Sequence, residues 1–254
     1  MSSLLICIVI FILFMAAGYA GLQVQSNLAP EHKTDATKGV VGQVSGLVTF
    51  LLALVLGTLI GVSFAYYSGQ RTNLENFSAQ ILRLDQALAQ FGPETKPMRD
   101  KLKEGIRKGY DTFWGGGDVD PAALTVERPL ANAQAISDYL ATLQPKTDAQ
   151  KAALATAGLY SGMVEQSRLL MSLQVAAGPV SWFLIAILVF WTAALFFAIG
   201  LYAEPNALVY SALTFGALSI AFAIFLIFAF GQPYTGLFRV TPAALVQTIE
   251  FVDR

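Results

Sequence analysis

The chain is poor in the residue types that do chemistry. Its 254 residues include one cysteine, Cys7, and one histidine, His32. A single thiol forms no internal disulfide, and one thiol with one imidazole cannot assemble a Cys/His metal site, so neither metal nor cofactor is expected. A lone histidine in a short loop supports no Ser–His–Asp or Cys–His set, and enzymatic activity is not expected. Charge is scarce too: 13% of residues are charged, where ordinary soluble domains carry about a quarter. The formal net charge of −1 gives no electrostatic reason for binding nucleic acid.

The scarcity of charge is concentrated. Residues 4–22, 40–66, 175–203 and 207–230 contain no Asp, Glu, Lys, Arg or His, and 55% of the whole chain is hydrophobic. An α-helix needs about 20 apolar residues to cross the hydrocarbon core. The expected fold class is therefore all-α: four transmembrane helices, two plus two, with a central extramembrane helical stalk or bundle. Four segments follow: 1–66, a helix pair with a short loop; 67–174, a polar helical insert; 175–230, a second pair; and 231–254, a C-terminal interfacial segment. Proton relays, voltage sensors and coupled carriers place ionisable groups inside the membrane, and the apolar runs offer none.

Residues 4–17 also suit a signal-peptide core, with Gly18-Tyr19-Ala20 as a loose cleavage site. The first four residues carry no Lys or Arg, so a retained helix is expected. Arg71, Arg83, Arg168 and Arg239 lie near span ends on one side; Lys33 and Lys38, offset by Glu31 and Asp35, lie on the other. This predicts a multi-pass protein of the cell membrane with its N-terminus, insert and C-terminus in the cytoplasm.

The insert reads as helical. Leu74, Phe77, Ile81, Leu84, Leu88 and Phe91 alternate spacings of three and four, the stripe of a helix packed on another helix. This stripe fits an intramolecular core or an intersubunit coiled coil. Phe91-Gly92-Pro93 ends that helix. Further helices are expected over 97–114, 129–143 and 148–174, with Gly178-Pro179 as a junction before the third span. No strong breaker lies between Tyr67 and Asn73. The second span and the stripe then form one helix of about 50 residues, or about 75 Å, and a stalk of antiparallel helices projecting from the membrane.

Within the second span, Ser45, Thr49, Ala53, Gly57, Gly61 and Ala65 form a ridge of small residues at i+4 spacing. Two readings stand: a helix-packing seam, because small residues allow close backbone approach, or a pore-lining surface with room for water. In the last two spans, Trp182, Tyr202 and Tyr210 suit interfacial positions, while Trp191, Phe196, Phe197, Phe222, Phe225 and Phe228 lie deeper. Phe222 and Phe225 are candidates for a hydrophobic gate beside the plainer reading as lipid-facing or core bulk. Asp111, Asp118 and Asp120 flank Gly115-Gly116-Gly117 but lack EF-hand spacing, and read as a solvated turn. After Pro242, residues Ala244, Leu245, Thr248, Ile249 and Val252 share a helical face that lies along the interface or caps the stalk.

Several motifs in order along the chain carry a resemblance. These are Leu28-Ala29-Pro30-Glu31-His32 with Ala53-Leu54-Val55-Leu56-Gly57; Leu84-Asp85-Gln86-Ala87-Leu88 with Phe91-Gly92-Pro93-Glu94; Gly200-Leu201-Tyr202-Ala203-Glu204-Pro205-Asn206; and Gln232-Pro233-Tyr234-Thr235-Gly236 with Val240-Thr241. Together they resemble the bestrophin-like "domain of unknown function" proteins of bacteria and plants. The resemblance singles out Pro30, Glu31, His32, Asp85, Pro205, Asn206, Pro233, Tyr234 and Gly236. It implies, by analogy with bestrophin anion channels, a channel-like membrane protein. The chain departs from the family in two places. Gly231 stands where an acid usually precedes the Pro-aromatic step by two positions, which puts any ion-binding or turn-anchoring role of that acid in question. The first loop also has fewer histidines than usual.

Two functions are compatible with the chain. The first is a homo-oligomeric, channel-like protein passing ions or small solutes, with the second span beside a central path and the stalk forming a vestibule. The second is a non-transporting scaffold or signalling protein whose stalk binds a partner protein. The lipid bilayer is the common partner of both.

Overall fold

The computed structural model describes residues 3–27, 34–116, 127–235 and 237–253, with the side chains of 3 and 127–134 outside the description. Every regular element among them is helical: α1 (Ser3–Asn27), α2 (Asp35–Phe91), a 3-10 turn (Pro93–Thr95), α3 (Lys96–Trp114), α4 (Glu127–Thr142), α5 (Asp148–Ala177), α6 (Trp182–Tyr202), α7 (Ala207–Gly231) and α8 (Ala243–Val252). Among the described residues, four helices are long and apolar enough to cross a membrane.

Helix α2 is a single helix of 57 residues, about 85 Å long at 1.5 Å per residue. It begins five residues earlier than the apolar run suggests, because Asp35 in its first turn suits the positive end of the helix dipole. Gly92, at φ 136°, ends it, and Gln150 Nε2 donates to the carbonyl of Phe91 at 3.0 Å. Helix α5 extends past the expected residue 174 to Ala177, since no breaker intervenes before Gly178 at φ 65°. Ser181 then caps α6 by accepting from the Phe183 amide.

The chain divides into two compact units: Met1–Tyr66 with Pro179–Gly231, and Tyr67–Gly178 with Gln232–Arg254. The boundary falls inside α2.

In the first unit, α1 packs along α6 and α7. Phe14 stacks on Phe196 with ring centroids 5.5 Å apart, and Ile10, Leu22, Leu188, Leu213, Ala217, Ile224 and Ile227 complete the core. The closest helix crossing is built on glycine. A methyl on Gly21 would overlap the carbonyl oxygen of Phe197, and one on Gly200 would overlap the carbonyl oxygen of Gly18. This is the small-residue packing seam of the unit. It joins α1 to α6, whereas the sequence pattern pointed to the second span.

In the second unit, residues 67–91 of α2 pack with α3, α4, α5 and α8 around Ile81, Leu84, Leu88, Met98, Ile106, Leu140, Ala157, Val164 and Leu245. Leu245, Thr248 and Val252 of α8 are buried. Arg107 pairs with Asp253 at 2.6 Å. Residues 232–254 thus cluster with the insert, and α8 packs into its core. Burial of the apolar face of α8 needs a protein surface, and α3 supplies one.

Candidate functional site

Beyond Ser45, the small-residue ridge of α2 packs against no other helix among the described residues. Ser45 is partly buried, but Thr49, Ala53, Gly57, Gly61 and Ala65 are exposed. A Cβ built on Gly57 or Gly61 meets nothing within 4 Å, and the same holds for Gly39, Gly42 and Gly46. The reason lies in helix geometry: each i+4 step advances about 40° beyond a full turn, so the ridge winds away from the inward face over its length. The face that does turn inward carries Leu52, Leu56 and Ser63. Ser63 Oγ is buried there without a hydrogen-bond partner among the described residues. Within a single chain the ridge from Thr49 onward is therefore an open, outward face of small residues.

Phe222 is exposed and Phe225 half-buried on α7. Their rings stack on each other at 6.0 Å, while Leu213, Ala217, Ala221, Ile224 and Ile227 form the buried side of that helix.

The stalk positions Leu74, Ile81, Leu84, Leu88 and Phe91 are buried, and Phe77 packs partly buried against the same core. The inward face of α2 also carries polar residues that the apolar stripe does not reveal: Gln70, Ser78 and Asp85 are buried beside it. Gln70 Nε2 donates to Gln174 Oε1 at 2.8 Å. Asn73 Nδ2 donates to the same oxygen at 2.9 Å. Tyr234 Oη donates to Gln70 Oε1 at 3.1 Å. The signal was present in the spacing, since Ser63, Gln70, Leu74, Phe77 and Ile81 continue one face by steps of seven, four, three and four.

Tyr234 belongs to the Pro-aromatic motif, and its surroundings explain how that turn is held. Its ring meets Phe113 at 5.4 Å and Trp114 edge-on at 6.1 Å. Trp114 Nε1 donates to the Val240 carbonyl at 2.9 Å, and the Val240 amide donates to the Pro233 carbonyl at 2.8 Å. The last turn is thus anchored by an aromatic and amide cluster, without an acid at position 231. A Cβ there would sit 3.3 Å from Pro179 Cγ, which makes that position tight for a side chain.

Asp85 is the other motif residue with a defined partner. Arg99 donates to it through Nε and Nη2 at 2.7 and 2.9 Å, a bidentate pair joining α2 to α3. The bonds to Asp85 raise the Arg99 pKa above its ordinary value, so this guanidinium stays charged. Asn206 accepts from the Val209 amide at 2.9 Å and caps α7, with Pro205 exposed just before it. Pro30, Glu31, His32 and Gly236 lie outside the described residues, as do Asp118 and Asp120.

Asp85, Asn206 and Tyr234 therefore serve as structural clasps at helix junctions, while the open small-residue face of α2 is the candidate functional surface. No curated protein and no solved structure is significantly similar to the chain. The model of the Bestrophin-like domain matches residues 12–245, nearly the whole length over which the motifs are spread, and this all-helical membrane protein belongs to the bestrophin-like family.

Proposed function

We propose that the chain assembles as a homo-oligomer passing ions or small solutes across the cell membrane, with the outward face of α2 lining or flanking the path. The observation that carries this reading is the row of open positions at Gly39, Gly42, Gly46, Gly57 and Gly61. Each glycine inside a helix costs about 1 kcal/mol relative to alanine. A face of such positions left against lipid gives no packing in return, whereas a second helix approaching closely, or a column of water, makes use of it. In the same direction, α2 is the least buried of the four spans: 17% of its most apolar window is buried, against 28–33% for the others. The reading is non-enzymatic and places the N-terminus, insert and C-terminus in the cytoplasm.

The test is tracer flux from liposomes containing purified protein, together with the particle mass in detergent. Wild type should be oligomeric and conduct. Gly57→Leu and Ala53→Leu should reduce flux at least tenfold while keeping native helicity. A monomeric wild type without flux would overturn the proposal and favour the scaffold, with a partner protein held by the helical insert.

A further inference from the structure

Arg168 occupies an inward position on α5 and has no partner there among the described residues. The buried residues of α5 are Ala153, Ala157, Ser161, Val164 and Ser172. Their spacing is that of one helical face with a single step missing, and the missing step is Arg168. The other members of this stripe are no larger than valine, so one long cationic side chain interrupts a run of small ones.

The register of α5 against α2 shows what lies across from it. Gln174 meets Gln70 and Asn73, Ser167 Oγ donates to Gln80 Oε1 at 2.8 Å, and Gln150 meets the end of α2 at Phe91. These contacts run antiparallel and place Arg168 at the level of Phe77 and Ser78. Helix α8 passes the same level, where Thr248 Oγ1 donates to the Ser78 carbonyl. Arg168 is partly buried, and among the described residues it makes no ion pair and no hydrogen bond. Glu165, one turn earlier, lies beyond ion-pairing distance. On neighbouring turns Glu75 pairs with Arg71 and Asp253 with Arg107, while Glu250 of α8 is exposed and makes no ion pair with Arg168. Burial lowers the pKa of Arg168 from its ordinary value, yet a guanidinium remains charged at any working pH. A cation withdrawn from water without a counter-charge is unfavourable.

We propose that Arg168 anchors an oxyanion site among α5, α2 and α8 that takes a phosphate group, either free inorganic phosphate or the headgroup of an anionic lipid. The planar fork of a guanidinium matches two oxygens of such a group. Arg168 stands seven residues before the apolar run that begins at 175, about 10 Å along the helix, a spacing that a long guanidinium side chain can bridge toward a lipid headgroup. The site does not depend on whether the membrane unit conducts.

The experiment uses the full chain in detergent. Inorganic phosphate is titrated against gluconate at constant ionic strength while thermal unfolding is followed. Wild type should be stabilised saturably, with the apparent affinity at least tenfold weaker in Arg168→Gln and intermediate in Arg168→Lys. In parallel, native mass spectrometry from phosphatidylglycerol and phosphatidylcholine nanodiscs reads retained lipid. Phosphatidylglycerol kept by wild type and lost by Arg168→Gln supports the site with lipid as its source, and a response to phosphate alone supports it with the free anion. A wild type insensitive to both overturns the proposal, even if the variants fail to fold. Equal responses in wild type and Arg168→Gln also overturn it. So does a changed oligomeric state in Arg168→Gln without any phosphate response, which would assign Arg168 to a carboxylate of a second copy.

Discussion

Replacing Asp85 with alanine should destabilise the second unit by about 2 kcal/mol, an amount that follows from the two side chains' surroundings. Removing one partner of a fully buried ion pair costs about 3–5 kcal/mol, mostly through the stranded charge. Asp85 is 4% exposed, but Arg99 is 30% exposed, so the stranded guanidinium regains part of its hydration and the cost falls toward the lower value. Over a unit of this size that corresponds to a drop of about 6–10 °C in Tm. The assay is a double-mutant cycle of Asp85→Ala, Arg99→Ala and the double variant, followed by tryptophan fluorescence. Trp114 lies in the affected helix and reports on the same core. The coupling expected for a bidentate contact is about 1–2 kcal/mol. The exposed Arg71–Glu75 pair on α2 serves as a control, with a coupling of about 0.5 kcal/mol or less. Additivity of Asp85 and Arg99 to within about 0.5 kcal/mol would refute the view that this contact clamps α2 to α3.

Two further outcomes separate packed from open glycines and test the last turn. Gly200→Val should abolish the folded first unit, because its side chain meets the backbone of α1, whereas Gly57→Ala should leave it as stable as wild type or stabilise it by up to about 1 kcal/mol; circular-dichroism melts compare them. Tyr234→Phe should cost about 1–2 kcal/mol, since it removes the donor to the fully buried Gln70, and should shift the emission of Trp114, which packs against that ring.

Long apolar runs and an uninterrupted helical stripe were readable directly, because spanning a bilayer and packing one face each leave a periodic trace in the sequence. The helix-packing seam was not. Gly18, Gly21 and Gly200 are ordinary glycines in apolar runs, and only the crossing of α1 with α6 gives them meaning. The ridge from Ser45 to Ala65 looked stronger on paper, yet its i+4 spacing drifts around the helix and ends on the outside. Tyr234 and Asp85 were legible as motif members, but their roles depend on partners 164 and 14 residues away in the chain. Arg168 counted first as a topological charge near a span end; its inward direction emerges only when the other buried positions of α5 are known.

Both units are discontinuous in the chain, and this constrains how the protein is made. The first needs α1 to meet α6 and α7, and the second needs Gln232–Arg254 to join Tyr67–Gly178. During synthesis α1 leaves the ribosome long before its packing partners exist. Residues 67–178 must likewise wait through the production of α6 and α7 before Leu245 and Val252 can fill their core. The first unit has all its helices once Gly231 has been made, whereas the second is completed only when α8 joins it.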